Sequence, residues 1–393
     1  MALNKVIFNV NASGLGTPLA SKDHISGIVY YNNTLPSGFA ANDRIKTVFS
    51  LPGAEALGII EGSADHGVEW YHIREFFEKQ PSGELWIGYY AVPAIPASHD
   101  FVEIKTVQDL ALGTIRQMGV FYDAAAFSDA MVTACQAVVT TLQSEDKPLS
   151  VLFGGDISAV ADLSTLTDLR LLTAPQVSVC IGQDGAGKGA ALFVSTTKSV
   201  TDLGAKLGAV SFAAVNESIS WQAKFPMVTD GTEFDVAAFA NGDVVVTLAT
   251  ALVEVIDDKG YIFLVKEVGF SNTFNSDSYS SVAVTSDLAT IENNRTIDKA
   301  KRNLRTVIVP TLGSPLRVNV DGTLRTDTIA TYKALGESAL SSMEADGELS
   351  AYEIIVNAAQ NVVSTSKLEM TVKIVPVGVA REIVINIGFV PNI

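Results

Sequence analysis

The stretch VSVCIGQDGAGKGAA, residues 177–191, runs from apolar residues into a glycine-rich loop that ends on a lysine. Gly182, Gly187 and Lys188 meet most of the G-x-x-x-x-G-K-[ST] spacing, in which backbone N–H groups cradle phosphates and the lysine neutralises them. A working loop needs a Ser or Thr hydroxyl next, to hold magnesium, and a carboxylate at the end of another apolar strand. Gly189 stands where that hydroxyl would be, while Asp156, after VLFGG, offers the carboxylate. A glycine-rich turn joining two strands explains the same residues without a ligand. The structural turn is the expectation, with an enzyme carrying a degenerate nucleotide-binding loop as its rival.

The remaining reactive side chains form no catalytic pattern. His24, His66, His72 and His99 all fall in the first quarter of the chain, and none makes H-E-x-x-H or pairs with a Cys-x-x-Cys. Asp65, His66 and His72 are the nearest thing to a metal set, but a helix-capping Asp and hydrogen-bonded histidines account for them. Cys135 and Cys180 lie in apolar runs, where a buried thiol is inert, and two cysteines make no disulfide framework. There is no G-x-S-x-G elbow, and Asp257-Asp258 sits in an obvious turn. No enzyme, cofactor or metal is expected.

Composition narrows the class of protein. Across 393 residues, 48% are hydrophobic and only 18% charged, which suits a compact chain that buries surface against partners. The formal charge of −16 repels nucleic acid and anionic membranes, so neither is an expected partner. The start MALNKVIFNVNASGLG lacks the apolar core of a signal peptide, and no run of about 18 apolar residues crosses a membrane, so synthesis in the cytoplasm is expected.

Hydrophobic periodicity supplies the elements that would position these residues. KVIFNVN alternates as a strand with nothing nearby to pair with. DHISGIVYY is a strand pattern, followed by a helix-like stretch around AEALGIIEG; GVEWYHIREFFEKQPSGELWIGYYAVP reads as helix, turn and strand. Phe127, Met131, Cys135, Val138 and Leu142 recur at helical spacing and should pack on a sheet. Strand-like runs follow at 151–155, 168–174, 176–182 and 189–195, then the helix pattern SVTDLGAKLGAVSFAAV. GDVVVTLATALVEVIDDKGYIFLVKEVG reads as strands separated by the Asp-Asp-Lys-Gly turn. This alternation argues for an α/β core with mixed strand directions.

Near residue 285, after SNTFNSDSYSS, the pattern changes to two helices and two closing strands, KLEMTVKIVPV and REIVINIGFV. Arg295, Lys299 and Arg302 repeat at steps of four and three on the first helix. They form either a solvated face or a dock for an acidic partner, including another copy of the chain. Both termini are strand-forming, and a lone strand must join a sheet in its own chain or a neighbour's. Strand addition between copies is a head-to-tail contact that builds rings or filaments.

The C-terminal third resembles the C-terminal domain of contractile tail sheath proteins, the sheaths of phage tails, tailocins and related injection systems. The resemblance rests on Asn293 to Arg295 for an N-x-R helix, Thr328 to Ala345 for a second helix, and Ala351 to Asn357 for a strand closing on Asn. Pro376, Val377, Ala380 and Ile383 match a P-V-x-x-A-x-x-[IF] linker. Upstream, GVEWYHIREFF, VSVCIGQDGAGKGAA, LGAKLGAVSFAAVNESISW and GYIFLVKEVGFSNTF are similar to a divergent sheath-like branch.

The resemblance implies a multidomain tail-sheath fold, α/β and α+β, divided into an N-terminal arm (1–20), an α/β core (21–284), a C-terminal assembly domain (285–380) and a C-terminal strand arm (381–393). It implies stacked rings, commonly sixfold, around an inner tube protein, with baseplate and terminator proteins at the ends and contraction that drives the tube through a target envelope. The particle would assemble in the cytoplasm of a bacterial host. Lys5, Val6, Ile7, Phe8, Asn9 and Val10, with Glu382, Ile383, Val384, Ile385, Asn386 and Ile387, fit the arms that link subunits. Thr328, Thr331, Lys333, Glu337, Ser338 and Ser341 fall on the helix that would face the tube. That helix is often basic in the family; here Lys333 is outnumbered by Glu337, Glu344 and Asp346, so either the tube is not strongly acidic or the contact relies on Thr331, Ser338, Ser341 and Ser342, and the basic helix before it is then free to hold neighbouring subunits. A static tail or tube component is the remaining alternative.

Overall fold

The computed structural model describes residues 22–228, 233–385 and 387. Lys5 to Val10 of the expected N-terminal arm, and Asn386 of the C-terminal one, lie outside the described residues.

A six-stranded sheet organises the larger part of the chain. Its strands are β1 (Ser26–Tyr31), β2 (Ile45–Val48), β3 (Leu85–Tyr90), β4 (Gln117–Ala126), β5 (Ser150–Asp156) and, beyond the two-residue β6 (Thr173–Ala174), β7 (Val177–Val179). They lie in the order β2-β3-β1-β4-β5-β7. Only β2, at one edge, is antiparallel; the other five run parallel. Every residue of β1 and β5 is buried, because both faces of a parallel sheet are covered.

The covering helices are α1 (Leu51–Ala56), α2 (Gly67–Lys79), α3 (Glu103–Leu110), α4 (Asp129–Ser144), α5 (Lys188–Thr196), α6 (Leu203–Phe212) and α7 (Thr250–Asp258). Trp70, Ile73 and Phe76 of α2 point inward at helical spacing, as do Met131, Cys135, Val138 and Leu142 of α4. α2 and α6 touch backbone to backbone through two glycines one turn apart. A Cβ on Gly204 would lie 2.0 Å from the carbonyl oxygen of His72, and one on Gly208 would lie 2.6 Å from that of Phe76. Three small ladders complete this part: β8 (Gly182–Asp184) with β9 (Ala237–Phe239), β10 (Leu264–Lys266) with β11 (Thr273–Asn275), and β6 with β12 (Ser281–Val282).

Three strand expectations are corrected. Residues 189–195 belong to helix α5, whose first turn is fixed by a carboxylate described below. Residues 250–258, read as strand and turn, form α7, with Leu252, Val253 and Ile256 turned to the core at helical spacing; Asp257 and Asp258, expected in the turn, close this helix, and the turn is left to Lys259 and Gly260, the latter with φ +83°. Of 168–174, Leu169–Leu171 is a single 3-10 turn capped by the Asp168 side chain, and only the last two residues pair as β6.

The C-terminal part holds α8 (Ile291–Ile308), α9 (Thr326–Ala345), β13 (Ala351–Val356), the single turn α10 (Val362–Thr365) and β14 (Met370–Val375). It has its own apolar cluster of Ala300, Ala339, Leu340, Met343, Leu349 and Ile354, joined by Val215 from the larger part. Gly336 lets α9 press on β13, since a Cβ there would stand 3.0 Å from the Ile354 side chain. Of the last expected strand, the described residues Glu382–Ile385 and Ile387 carry no ladder to any other described residue. Ile383, Val384, Ile385 and Ile387 are between 71% and 91% exposed.

Candidate assembly interface

The glycine loop is occupied by the chain itself. The Asp184 carboxylate, fully buried, accepts from the backbone N–H groups of Ala186, Gly187 and Gly189 at 3.2, 3.0 and 3.0 Å, and from that of Phe234 at 3.1 Å. These donors at the start of α5 are the ones that would cradle a phosphate. Gly182 has the same rigidity around it, because a Cβ would meet the Asp202 carboxylate at 2.1 Å. Lys188 turns away to pair with Glu61 and lies 4.6 Å from the centre of the Trp70 ring. Asp156 is also engaged, by Lys198 at 2.9 Å and the Ser158 N–H at 3.0 Å. The loop thus works as a cap for α5 and a brace for the 234 segment.

A cleft of about 740 Å³ opens at the carboxyl ends of β1 and β4, where the strand order reverses and α/β sheets commonly bind ligands. Nothing in the sequence pattern marked it. Burial pushes the Glu69 carboxyl on its wall up to about 7, against a hydrogen bond from the Asn32 amide at 3.1 Å. Burial likewise raises Asp123. No unpartnered buried polar atom among the described residues lines this cleft.

His66, His72 and both cysteines are held in contacts within the fold. His72 is fully buried with Nε2 2.9 Å from the Thr201 carbonyl, and burial holds it down at about 4. His66 Nδ1 meets the Tyr89 hydroxyl at 3.1 Å. Both thiols are buried and free, with burial raising Cys135 and taking Cys180 up to about 11.

Arg295, Lys299 and Arg302 do share one face of α8, and what they meet is the chain's own core. Arg295 is only 4% exposed and donates to the carbonyls of Ala213 and Ala214, each at 3.1 Å. Lys299 contacts Asp23 at 2.9 Å and Glu348 at 2.5 Å, and Arg302 reaches the other Asp23 oxygen at 3.1 Å. Burial alone would raise the Asp23 carboxyl, but Lys299, Arg302 and Arg295 together outweigh it and hold it below its ordinary value.

The surfaces left open lie in the C-terminal part. β13 and β14 pair antiparallel over six residue pairs, Ala351 with Val375 through Val356 with Met370, and form a sheet with no third strand among the described residues. Tyr352, Ile354, Met370, Val372 and Ile374 face the apolar cluster, while Ile355 and Val375 are 37% and 53% exposed on the other side. Such a ladder is marginal alone and offers two rows of unpaired backbone groups. On α9, Thr331, Lys333, Glu337, Ser338 and Ser341 are exposed along one side, whereas Thr328 is buried and donates to the Arg317 carbonyl at 3.0 Å. Lys333 is balanced by Glu337 at 3.8 Å, so this side carries little positive charge.

The fold is that of contractile sheath proteins. A chain of the anti-feeding prophage baseplate superposes with a TM-score of 0.62 at 14% identity, covering 99% of each chain. The sheath complex of an extracellular contractile injection system, in its contracted state, gives 0.61 at 12% identity over 99% of this chain and 97% of the other. A sheath tail protein from Listeria innocua gives 0.54 at 9% identity over 90% and 94%. Residues 287–393 match the family model described as DUF2586, C-terminal domain. No curated protein matches the sequence.

Proposed function

We propose that this chain is the structural subunit of a contractile sheath, which polymerises as stacked rings around an inner tube and contracts to drive that tube through an envelope. The observation that carries the reading is the end-to-end superposition on sheath chains, 99% of this chain on 97% of a contracted sheath subunit, without unmatched domains on either side. The open β13–β14 ladder and the unpaired, exposed Ile383–Ile385 segment supply complementary halves of a strand-exchange contact. Repeated head to tail, with residues 1–20 as the second arm, that contact generates a mesh instead of a closed dimer.

In this reading the core is 21–284, the assembly domain 285–380, and the polar side of α9 faces the tube. Sixfold rings, a tube protein, baseplate and terminator proteins are the partners, and a tail or injection particle assembled in a bacterial host is the location. No nucleotide is needed: if two lattices differ by a few kcal/mol per subunit, conversion at one end propagates through many copies. Among the described residues no helix is long and apolar enough to cross a membrane.

The test is negative-stain electron microscopy of the purified chain beside a version lacking residues 1–12. Hollow helical tubes from the full chain, lost on truncation, support the sheath reading. Monodisperse particles from both would overturn it, and tubes of a single unchanging lattice would favour a static tail component.

A further inference from the structure

Six residues beyond the end of β14, at the head of the exposed apolar segment, stands Arg381. Its guanidinium reaches back to the core. Nε donates to both Asp277 carboxylate oxygens, at 2.8 and 3.0 Å, while Nη2 donates to Glu292 Oε1 at 2.7 Å and to Ser278 Oγ at 3.3 Å. Asp277 and Glu292 are only 4% and 2% exposed, and the Ser278 hydroxyl donates to the second Glu292 oxygen at 2.6 Å. Among the described residues Arg381 is the one cation within ion-pair reach of either carboxylate. The nearby Arg170 instead lies 3.9 Å from the centre of the Tyr279 ring.

Two buried carboxylates side by side are costly unless a cation answers both, and removing one partner of such a set strands the others. A planar fork of donors fits them, with Nε on one carboxylate and Nη2 on the other; a lysine's three donors diverge from a single nitrogen and do not match that spread. The positions of the three partners matter as much as their charge. Asp277 and Ser278 follow β11 in the core, Glu292 lies in the first turn of α8, and Arg381 follows the last strand. One side chain therefore ties the beginning and the end of the C-terminal part to the core.

We infer that Arg381 and the Asp277–Ser278–Glu292 socket form a clasp that fixes the root of the C-terminal arm to its own subunit, leaving only the residues beyond 381 to pair with another copy. Arg381 is thus a positioning residue: it sets where the arm leaves the molecule and how far it reaches. The arm's role rests on the sheath reading, whereas the clasp is a property of one chain and is tested on it.

Hydrogen exchange on the unassembled full-length protein is the first measurement. Arg381→Ala should speed amide exchange at the socket, where the Ile291 N–H donates to the Ser278 carbonyl at 2.9 Å, by roughly tenfold, the scale of a lost local closure, and lower the thermal midpoint. Adding Asp277→Asn and Glu292→Gln to that variant should recover the midpoint, because no carboxylates remain stranded, while Arg381→Lys should not. Unchanged exchange in Arg381→Ala would overturn the clasp. Electron microscopy then reads the positioning role. Arg381→Ala, which keeps every residue beyond 381, should give slow, irregular tubes; tubes as fast and as ordered as the parent's would overturn that role. A parent that forms no tubes at all would count against the sheath reading, and exchange would still decide the clasp.

Discussion

The carboxylate of Asp184 lies 3.0 Å from the backbone N–H of Gly189, the donor that a bound phosphate would need. An acidic side chain five residues upstream has taken the ligand's place. Titration of the protein with magnesium-ATP should therefore show no saturable heat. Lys188→Ala should leave tube growth unchanged and cost less than about 1 kcal/mol, as for other exposed ion pairs. Asp184→Ala, which abandons four backbone donors, should cost about 2–4 kcal/mol in urea denaturation.

The contact between α2 and α6 makes a sharper packing test. Gly204→Ala puts a methyl 2.0 Å from the His72 carbonyl oxygen, an atom of rigid backbone. The helices must separate, and destabilisation of about 3 kcal/mol or more is expected from overpacking of this kind. Gly62→Ala, with nothing within 4 Å of its Cβ but φ +72°, should cost no more than about 1–2 kcal/mol, from backbone strain alone. Thermal melts of the two variants beside the parent would rank them.

Asp23 is the keystone of the joint between the core and α8, with Lys299 on one oxygen and Arg302 on the other. Asp23→Ala leaves two partly buried cations facing each other. We expect a loss of about 2–4 kcal/mol that half-molar salt does not erase, since buried pairs are weakly screened. A loss that vanishes in salt would mean that the joint is a surface pairing.

His72 gives the fold an acid sensitivity with a defined window. Burial holds it neutral down to about 4, against an ordinary value of 6.5, so the unfolded chain takes up this proton first as the pH falls. Its contribution is fully present above pH 6.5 and is lost as the pH drops towards 4, amounting to on the order of 3 kcal/mol. Urea midpoints measured at pH 7 and pH 4.5 should diverge in the parent and converge in His72→Gln.

Where the sequence is periodic it is readable. Trp70, Ile73 and Phe76 announced α2, and Met131, Cys135, Val138 and Leu142 announced α4, because one buried stripe writes a 3.6-residue repeat. Residues 189–195 write only a short repeat: Gly189, Leu192 and Phe193 turn inward at helical spacing, but Ala191 and Val194, the latter 76% exposed, fill the gaps and make the run look like a strand. In α7, Val253, Val255 and Ile256 carry strand-favouring side chains, and tertiary packing overrode that preference.

The site relationships were hidden for a different reason. Asp184 with Phe234, Asp23 with Lys299 and Arg381 with Asp277 join residues far apart in the chain, and no local spacing records them. The basic stripe on α8 was visible, but whether it met solvent, another copy or Asp23 depended on the fold. The ladder was half visible: its two alternating strands could be read, and that no other described residue joins them could not.

That ladder also restricts what motion a mesh built on it can have. Along β13 the side chains alternate strictly, with Tyr352 and Ile354 turned to the helices and Ala351, Glu353 and Ile355 turned away. A guest strand laid along either edge inherits the same alternation, so a slip of one residue would turn its apolar side chains to the wrong face. The smallest tolerated slip is two residues, roughly 6.8 Å. On the proposed strand exchange the joint would be a coarse-toothed rack and not a spring: lattice movements finer than one tooth would be absorbed in the linkers, and the join itself would travel as a rigid link.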